Sequence, residues 1–524
     1  MKLFLIGILS LFFLDAIKAQ ESVSIPSNWF NLDHIENNIW GVSTEKAYQQ
    51  LLLNKPSKTV IVAVIDNGVD INHEDLIGKI WVNANEIPDN KIDDDKNGYV
   101  DDMNGWNFLG GKIGDVEFEN LEITRQYRDL KKIFEGKTKQ NIEKNQLADY
   151  GKFLDYERDY NKQLLEIETQ FAEFAKMMAV YSKANDFIKS NLKKDNFSEE
   201  DLASLQPTTE DEMVYKKFME FAFQNNLKSQ IEEGQNYFEA SLKYHYNLDY
   251  SPRGLVGDDE NNVYEKGYGN NHVQGSSPEH GTHVAGTIAA NRNNNIGVKG
   301  VADNVKIMCL RAVPNGDERD KDVANAIIYA ADNGAEIINM SFGKTISPDK
   351  KAVDDAIEYA NSKGILMIHA SGNEAKNIDK NSVYPSRKLL NKTTAANWIE
   401  VGANAAIGGI SLVGNFSNYG KKSLDLFAPG VGITSTTPAN TYKMLDGTSM
   451  AAPVVTGVAA LLKSYFPKLT TTELKYILEE SVEPYEATKV LVPGTKNKKV
   501  KFKKLSISGG TVNAYNAIKM ALEM

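Results

Sequence analysis

Cysteine is almost missing from this chain: Cys309 stands alone among 524 residues, so no internal disulfide can form. It lies in the apolar run Val305-Lys306-Ile307-Met308-Cys309-Leu310, where a small buried hydrophobe is expected rather than a nucleophile. Long apolar stretches are scarce too. Beyond the first twenty residues none suits a membrane span, which excludes an internal transmembrane anchor. An excess of basic charge is also lacking, with 59 Lys and Arg against 70 Asp and Glu. That balance excludes nucleic acid or another polyanion as the main partner.

What the N-terminus does have is Lys2, an apolar run from Leu3 to Leu14, and Ala16-Ile17-Lys18-Ala19 before a small-residue cut. This layout predicts an export signal over residues 1–19, with a retained anchor as the alternative. The expected location is therefore extracellular, periplasmic or on the cell surface. An exported chain without disulfides needs another staple, and bound Ca²⁺ is the candidate. Oligomeric state has no signature here.

The remainder divides by composition and pattern. Residues 20–114 and 251–482 are expected to form one α/β body. Residues 115–250 are expected to be a helical insertion, and residues 483–524 a hairpin and helix that complete the body. The run 58–66 is β-branched and apolar without alternation, as in a parallel strand covered on both faces. Helix-like and strand-like segments then alternate: 281–290, 304–312, 319–333, 335–340, 350–362 and 364–370. That order implies right-handed crossovers and a mostly parallel sheet with helices on both faces.

Within 115–250 proline and glycine thin out. Leu164, Ile167, Phe171, Phe174, Met178 and Tyr181 recur at three- and four-residue spacing, which predicts one apolar helix stripe. Ser198 with Asp201 has the spacing of a capping box. Two to four helices are expected. The alternation Lys499-Val500-Lys501-Phe502-Lys503 predicts an exposed hairpin edge guarded by lysine.

Three strings carry chemistry. Asp66 ends a strand in Val64-Ile65-Asp66-Asn67-Gly68, His280 opens a helix in His280-Gly281-Thr282-His283, and Ser449 sits at a turn into a helix in Gly447-Thr448-Ser449-Met450-Ala451-Ala452-Pro453. A serine hydroxyl becomes nucleophilic only when a base takes its proton, and histidine titrates in the range for that work. A carboxylate on the other ring nitrogen fixes the tautomer and supports the imidazolium. Asn373, in a glycine-bounded turn, offers an N–H to a developing oxyanion beside the Ser449 backbone N–H. His283, one turn along, is expected to be structural.

These strings, in the order Asp, His, Ser and joined by Ala370-Ser371-Gly372-Asn373-Glu374, resemble the subtilisin family of serine peptidases over about residues 55–110 and 265–480. The resemblance implies a subtilisin-like α/β fold and peptide-bond hydrolysis through an acyl-enzyme. It implies a triad of Asp66, His280 and Ser449 with Asn373 at the oxyanion. It also places Ser341, Phe342 and Gly343 on the wall of a cleft for extended protein or peptide substrates. A narrow-specificity maturation protease gated by the insertion is the alternative, as is a non-catalytic extracellular binding protein on the same scaffold. More than 210 residues separate Asp66 from His280, so the insertion is expected to emerge near the active-site side.

Asp93-Asp94-Asp95-Lys96-Asn97-Gly98-Tyr99-Val100-Asp101-Asp102 alternates oxygen ligands, with glycine sixth, like the front of a Ca²⁺ loop. Asp93, Asp95, Asn97, the Tyr99 carbonyl and Asp101 or Asp102 are the candidate ligands. Asn104 stands where a closing glutamate belongs, and a solvated acidic turn is the alternative. By resemblance, Asp75 and Asn294 would hold a second Ca²⁺ with loop carbonyls near Ile296 and Val298.

Overall fold

A computed structural model describes residues 25–486 and 489–524. The export signal read over residues 1–19 lies outside them. Two compact units are present, the first made of residues up to Glu117 and from Arg253 onward, the second running from Phe118 to Pro252.

The first unit is built on a nine-stranded sheet. In chain order its strands are β1 (Val60–Asp66), β2 (Gly105–Asn107), β3 (Val305–Arg311), β4 (Ile337–Met340), β5 (Leu366–Ala370), β6 (Trp398–Asn404), β7 (Leu426–Pro429), β8 (Glu483–Pro484) and β9 (Gly510–Thr511). Their spatial order is β8-β9-β7-β6-β5-β4-β1-β3-β2. Every pairing is parallel except β8 with β9. This is the α/β architecture expected from the sequence.

The unbroken apolarity of β1 follows from its two covered faces. Val60, Val62 and Val64 join one buried cluster, which includes the helix Thr448–Tyr465, while Ala63 and Ile65 join the cluster on the opposite face. Each fully buried Val or Ile side chain contributes about 1.5–3 kcal/mol. Strand β3 repeats the arrangement, and Cys309 is fully buried on it. Burial pushes the Cys309 thiol up to about 12, so it is an inert core residue. Lys489–Leu491 and Lys499–Lys501 pair as an antiparallel hairpin. The last helix, Ala514–Glu523, starts at an Asn513 cap.

The second unit is helical. It has α-helices at Glu122–Phe134, Leu147–Leu192, Glu199–Ser204, Glu210–Gln224 and Leu227–Ala240, more than the two to four expected. Ser198 and Asp201 form their capping box. Along the 46-residue helix, Phe153, Tyr160, Ile167 and Phe174 are buried. Their seven-residue spacing makes a seam narrower than the expected stripe, leaving Phe171 38% exposed. The aromatic rings meet across helices, with Tyr127 4.9 Å from Tyr160 and Phe174 5.1 Å from Phe238. Among the described residues no helix is long and apolar enough to cross a membrane.

Candidate active site

The carboxyl ends of β1 and β5 lead to Asp66 and Asn373, that of β4 leads to Ser341, and two helix starts supply His280 and Ser449. Asp66 is the last residue of β1 and is 2% exposed. Its Oδ1 accepts the His280 Nδ1–H at 2.7 Å and the Asn67 N–H at 2.8 Å. His280 is the second residue of the helix Glu279–Ala289. Asn67 docks that helix start by accepting the Gly281 N–H at 2.9 Å and donating to the Ser277 carbonyl. Only glycine fits at 281, because a Cβ there would strike the Gly68 carbonyl and press on Asp66.

Burial alone would lower the His280 pKa. The Asp66 charge and hydrogen bond, helped by Glu279, outweigh it and hold the ring above its ordinary 6.5. His283 differs. It is fully buried, its Nε2 faces the Ile433 and Lys443 carbonyls, and burial pushes it down to about 4. Its place is in the core.

Ser449 is the second residue of the helix Thr448–Tyr465. Its hydroxyl donates to the Ser341 carbonyl at 2.9 Å, and the Ser341 hydroxyl donates back to the Ser449 carbonyl at 2.9 Å. Among the described residues Ser449 Oγ has no hydrogen bond to His280, a looseness common in substrate-free sites. Asn373 is fixed by its Oδ1, which accepts the Thr448 N–H at 2.9 Å and the Thr448 hydroxyl at 3.0 Å. Its Nδ2 is thereby left to face the neighbourhood of Gly447.

Two cavities border the segment Ser341–Gly343. One, of about 290 Å³, is bounded by Asp66, His280, Arg311, Glu117 and Ser341. The other, of about 220 Å³, is bounded by Ser449, Asn373, Phe342, Gly343 and Glu374. Phe342 and Gly343 therefore sit beside Ser449. Arg311 and Glu117 were missed in the sequence. Arg311 ends β3, and its guanidinium donates to the Asn67 carbonyl at 3.0 Å, Asn107 Oδ1 at 3.1 Å and the Val116 carbonyl at 2.7 Å. Burial holds it below its ordinary value despite Glu117 and Asp115. A basic residue ending a strand just before Ala312-Val313-Pro314 was the only signal available.

The acidic loop divides into two sets of carboxylates. Those of Glu86, Asp95 and Asp102 converge, with ligand atoms within 4.8 Å of one another. Asn83 and Asn97 donate their amides into the group. Asp93 instead accepts the Asn97 and Gly98 N–H groups, and Asp101 accepts those of Asn90 and Lys91. The Tyr99 ring is buried edge-on against Trp106 and Tyr329. Burial raises the Asp102 pKa, outweighing hydrogen bonds from Tyr329, Asn97 and Asn83, and Asp95 adds to the rise. A buried group of hard oxygens short of positive charge fits a cation. Glu86 precedes the loop, so the loop motif gave no sign of it. Elsewhere, Asp75 is buried and accepts the Asn294 amide at 2.7 Å and the Val298 N–H at 2.9 Å.

The family model for "Subtilase family" matches residues 57–503. The chain belongs to the subtilase family. The thermophilic serine proteinase of Bacillus sp. (strain AK1) is 37% identical to this subtilase over 240 residues, 46% of this chain and 52% of its own length. Subtilisin BL of Lederbergia lenta is 37% identical over 221 residues, 42% of this chain and 75% of its own. Alkaline elastase YaB of Bacillus sp. (strain YaB) is 39% identical over 203 residues, 38% of this chain and 49% of its own. The subtilase chain thus spans about half the length of the first curated relatives it matches.

Proposed function

We propose that this chain is an exported serine endopeptidase acting on extended protein or peptide substrates. The observation that carries the reading is the Asp66–His280 pair, whose cavity is bordered by the same Ser341 that bonds Ser449, with Asn373 tied to the start of the Ser449 helix. The names of the relatives, among them a serine proteinase and a subtilisin, support it. On substrate binding the Ser449 hydroxyl turns from the Ser341 carbonyl to His280. Its oxygen attacks the scissile carbonyl carbon while His280 Nε2 takes the proton, and Asp66 stabilises the imidazolium.

Asn373 Nδ2–H and the Ser449 N–H hold the oxyanion. Collapse of that intermediate breaks the C–N bond, His280 returns the proton to the leaving amine, and water then releases the acyl group by the same steps. Ser341, Phe342 and Gly343 align the substrate backbone. Ca²⁺ would be held by Glu86, Asp95 and Asp102, neutralising carboxylates that otherwise repel. Asp75 and Asn294 are the candidates for a second ion.

A fluorophosphonate probe should label the wild-type chain and not Ser449→Ala, with peptide hydrolysis lost in parallel. Labelling that survives the substitution would sink the nucleophile assignment.

A further inference from the structure

The cavity of about 290 Å³ is bordered by one charged side chain to which no step above gives a role. Glu117 is carried there by a turn of the chain: the Val116 N–H donates to the Leu109 carbonyl at 2.8 Å, and the Asn315 N–H donates to the Glu117 carbonyl at 2.8 Å. Glu117 then shares the cavity with Asp66, His280, Val313, Asn315 and Ser341. Its two carboxylate oxygens differ. Oε2 accepts the Ser276 hydroxyl and, at 3.4 Å, an Arg311 Nη2–H. Oε1 takes no hydrogen bond among the described residues and stays accessible, on a side chain that is 24% exposed.

Charge around this cavity is unbalanced. Arg311 is buried, and its guanidinium turns inward to the Asn67 and Val116 carbonyls and to Asn107 Oδ1. Asp66 is equally buried and is shared with His280. Two carboxylates thus stand against one guanidinium, so with His280 neutral the bordering side chains carry net negative charge, and Glu117 holds its exposed share. An extended peptide turns successive side chains to opposite faces. The residue acylated by Ser449 places its side chain in the cavity that Ser449, Asn373 and Gly343 border, so the residue on its amino side turns toward Ser341 and His280.

We propose that Glu117 is a specificity-determining residue whose open Oε1 accepts a charged hydrogen bond from a lysine or arginine side chain on the substrate residue preceding the acylated one. The proposal deepens the endopeptidase reading and rests on it. Ser276 and Arg311 fix the carboxylate through one oxygen and leave the other for substrate, whose cation restores neutrality to the cavity. A hydrogen bond to a charged group in a half-buried site is worth more than an ion pair between fully exposed side chains. A Glu117 that only braced Arg311 would support the fold without telling substrates apart.

The test uses the full chain and three peptides that differ only at the residue before the acylated one: Lys, the neutral near-isostere Met, and Glu. For the wild type, kcat/KM should favour Lys over Met by about tenfold and place Glu last. In Glu117→Gln, whose amide oxygen can still accept from Ser276 and Arg311, the Lys-to-Met ratio should fall by about tenfold. Fluorophosphonate labelling reports whether the site is assembled. A wild type that prefers Met or Glu would overturn the proposal, and so would a Lys preference that survives in labelled Glu117→Gln. If that variant fails to label, the wild type decides through salt. Its Lys-to-Met ratio should shrink several-fold between about 0.05 M and about 1 M NaCl, and a constant ratio would overturn the proposal. A wild type that labels but cuts no peptide overturns the endopeptidase reading and this inference with it, whereas equal cleavage of all three overturns this inference alone.

Discussion

Two histidine–carboxylate pairs are anchored on the same sheet and differ in little except what their outer nitrogen meets. His280 and His369 both donate from Nδ1 to a carboxylate, that of Asp66 at 2.7 Å and that of Glu400 at 2.8 Å. The His280 side chain is 35% exposed and borders an open cavity, whereas that of His369 is fully covered. The carboxylate sets the tautomer in both. Surroundings decide whether the outer nitrogen can meet a reacting group or is sealed in the core.

The sharpest way to break this comparison is to neutralise each carboxylate in turn. Asp66→Asn should lower kcat by about 10⁴, because the ring loses both its tautomer control and its charge partner. Glu400→Gln should cost no more than about tenfold on a general protein substrate, since no reacting atom touches it. Comparable losses in steady-state assays of both variants would erase the distinction.

A smaller effect concerns pH. His280 works as a base only when neutral, and its pKa is raised above 6.5. The acid limb of kcat/KM should therefore have its midpoint above 6.5, with activity rising as pH rises through it. A midpoint below 6.5 in a pH–rate profile would show that Asp66 does not stabilise the charged ring.

The smallest effect involves the converging carboxylates of Glu86, Asp95 and Asp102. Ca²⁺ at a hundred times its Kd should add about 2.7 kcal/mol to the wild-type chain. That should raise the unfolding midpoint by several degrees, and Asp102→Asn should blunt the response. Calorimetry on chelated protein with Ca²⁺ restored checks this, and an unmoved midpoint would remove the cation site.

Much of the first unit was legible because its signals are local. The apolar run ending in Asp66 and the helix Lys350–Ser362 can be read from adjacent residues alone. The strings around Asp66, His280, Asn373 and Ser449 each sit at an element's end, where chain geometry aims the side chain. Glu86 and the pair His369–Glu400 were invisible because their meaning arises across strands or loops. Glu400 reads as an ordinary strand residue until the register sets it opposite His369. The long helix of the second unit misled in another way. Three- and four-residue spacing marks every apolar position on one side, but between Phe153 and Phe174 packing buried only every seventh, and Ala184 and Ile188 then depart from that spacing.

The single thiol of the molecule gives the fold a built-in alarm. Cys309 is sealed on β3, one strand in from the sheet's edge, so alkylating reagents can reach it only when the packing around that strand opens. Its trapping rate would time how often the heart of this subtilase comes undone, without any added label.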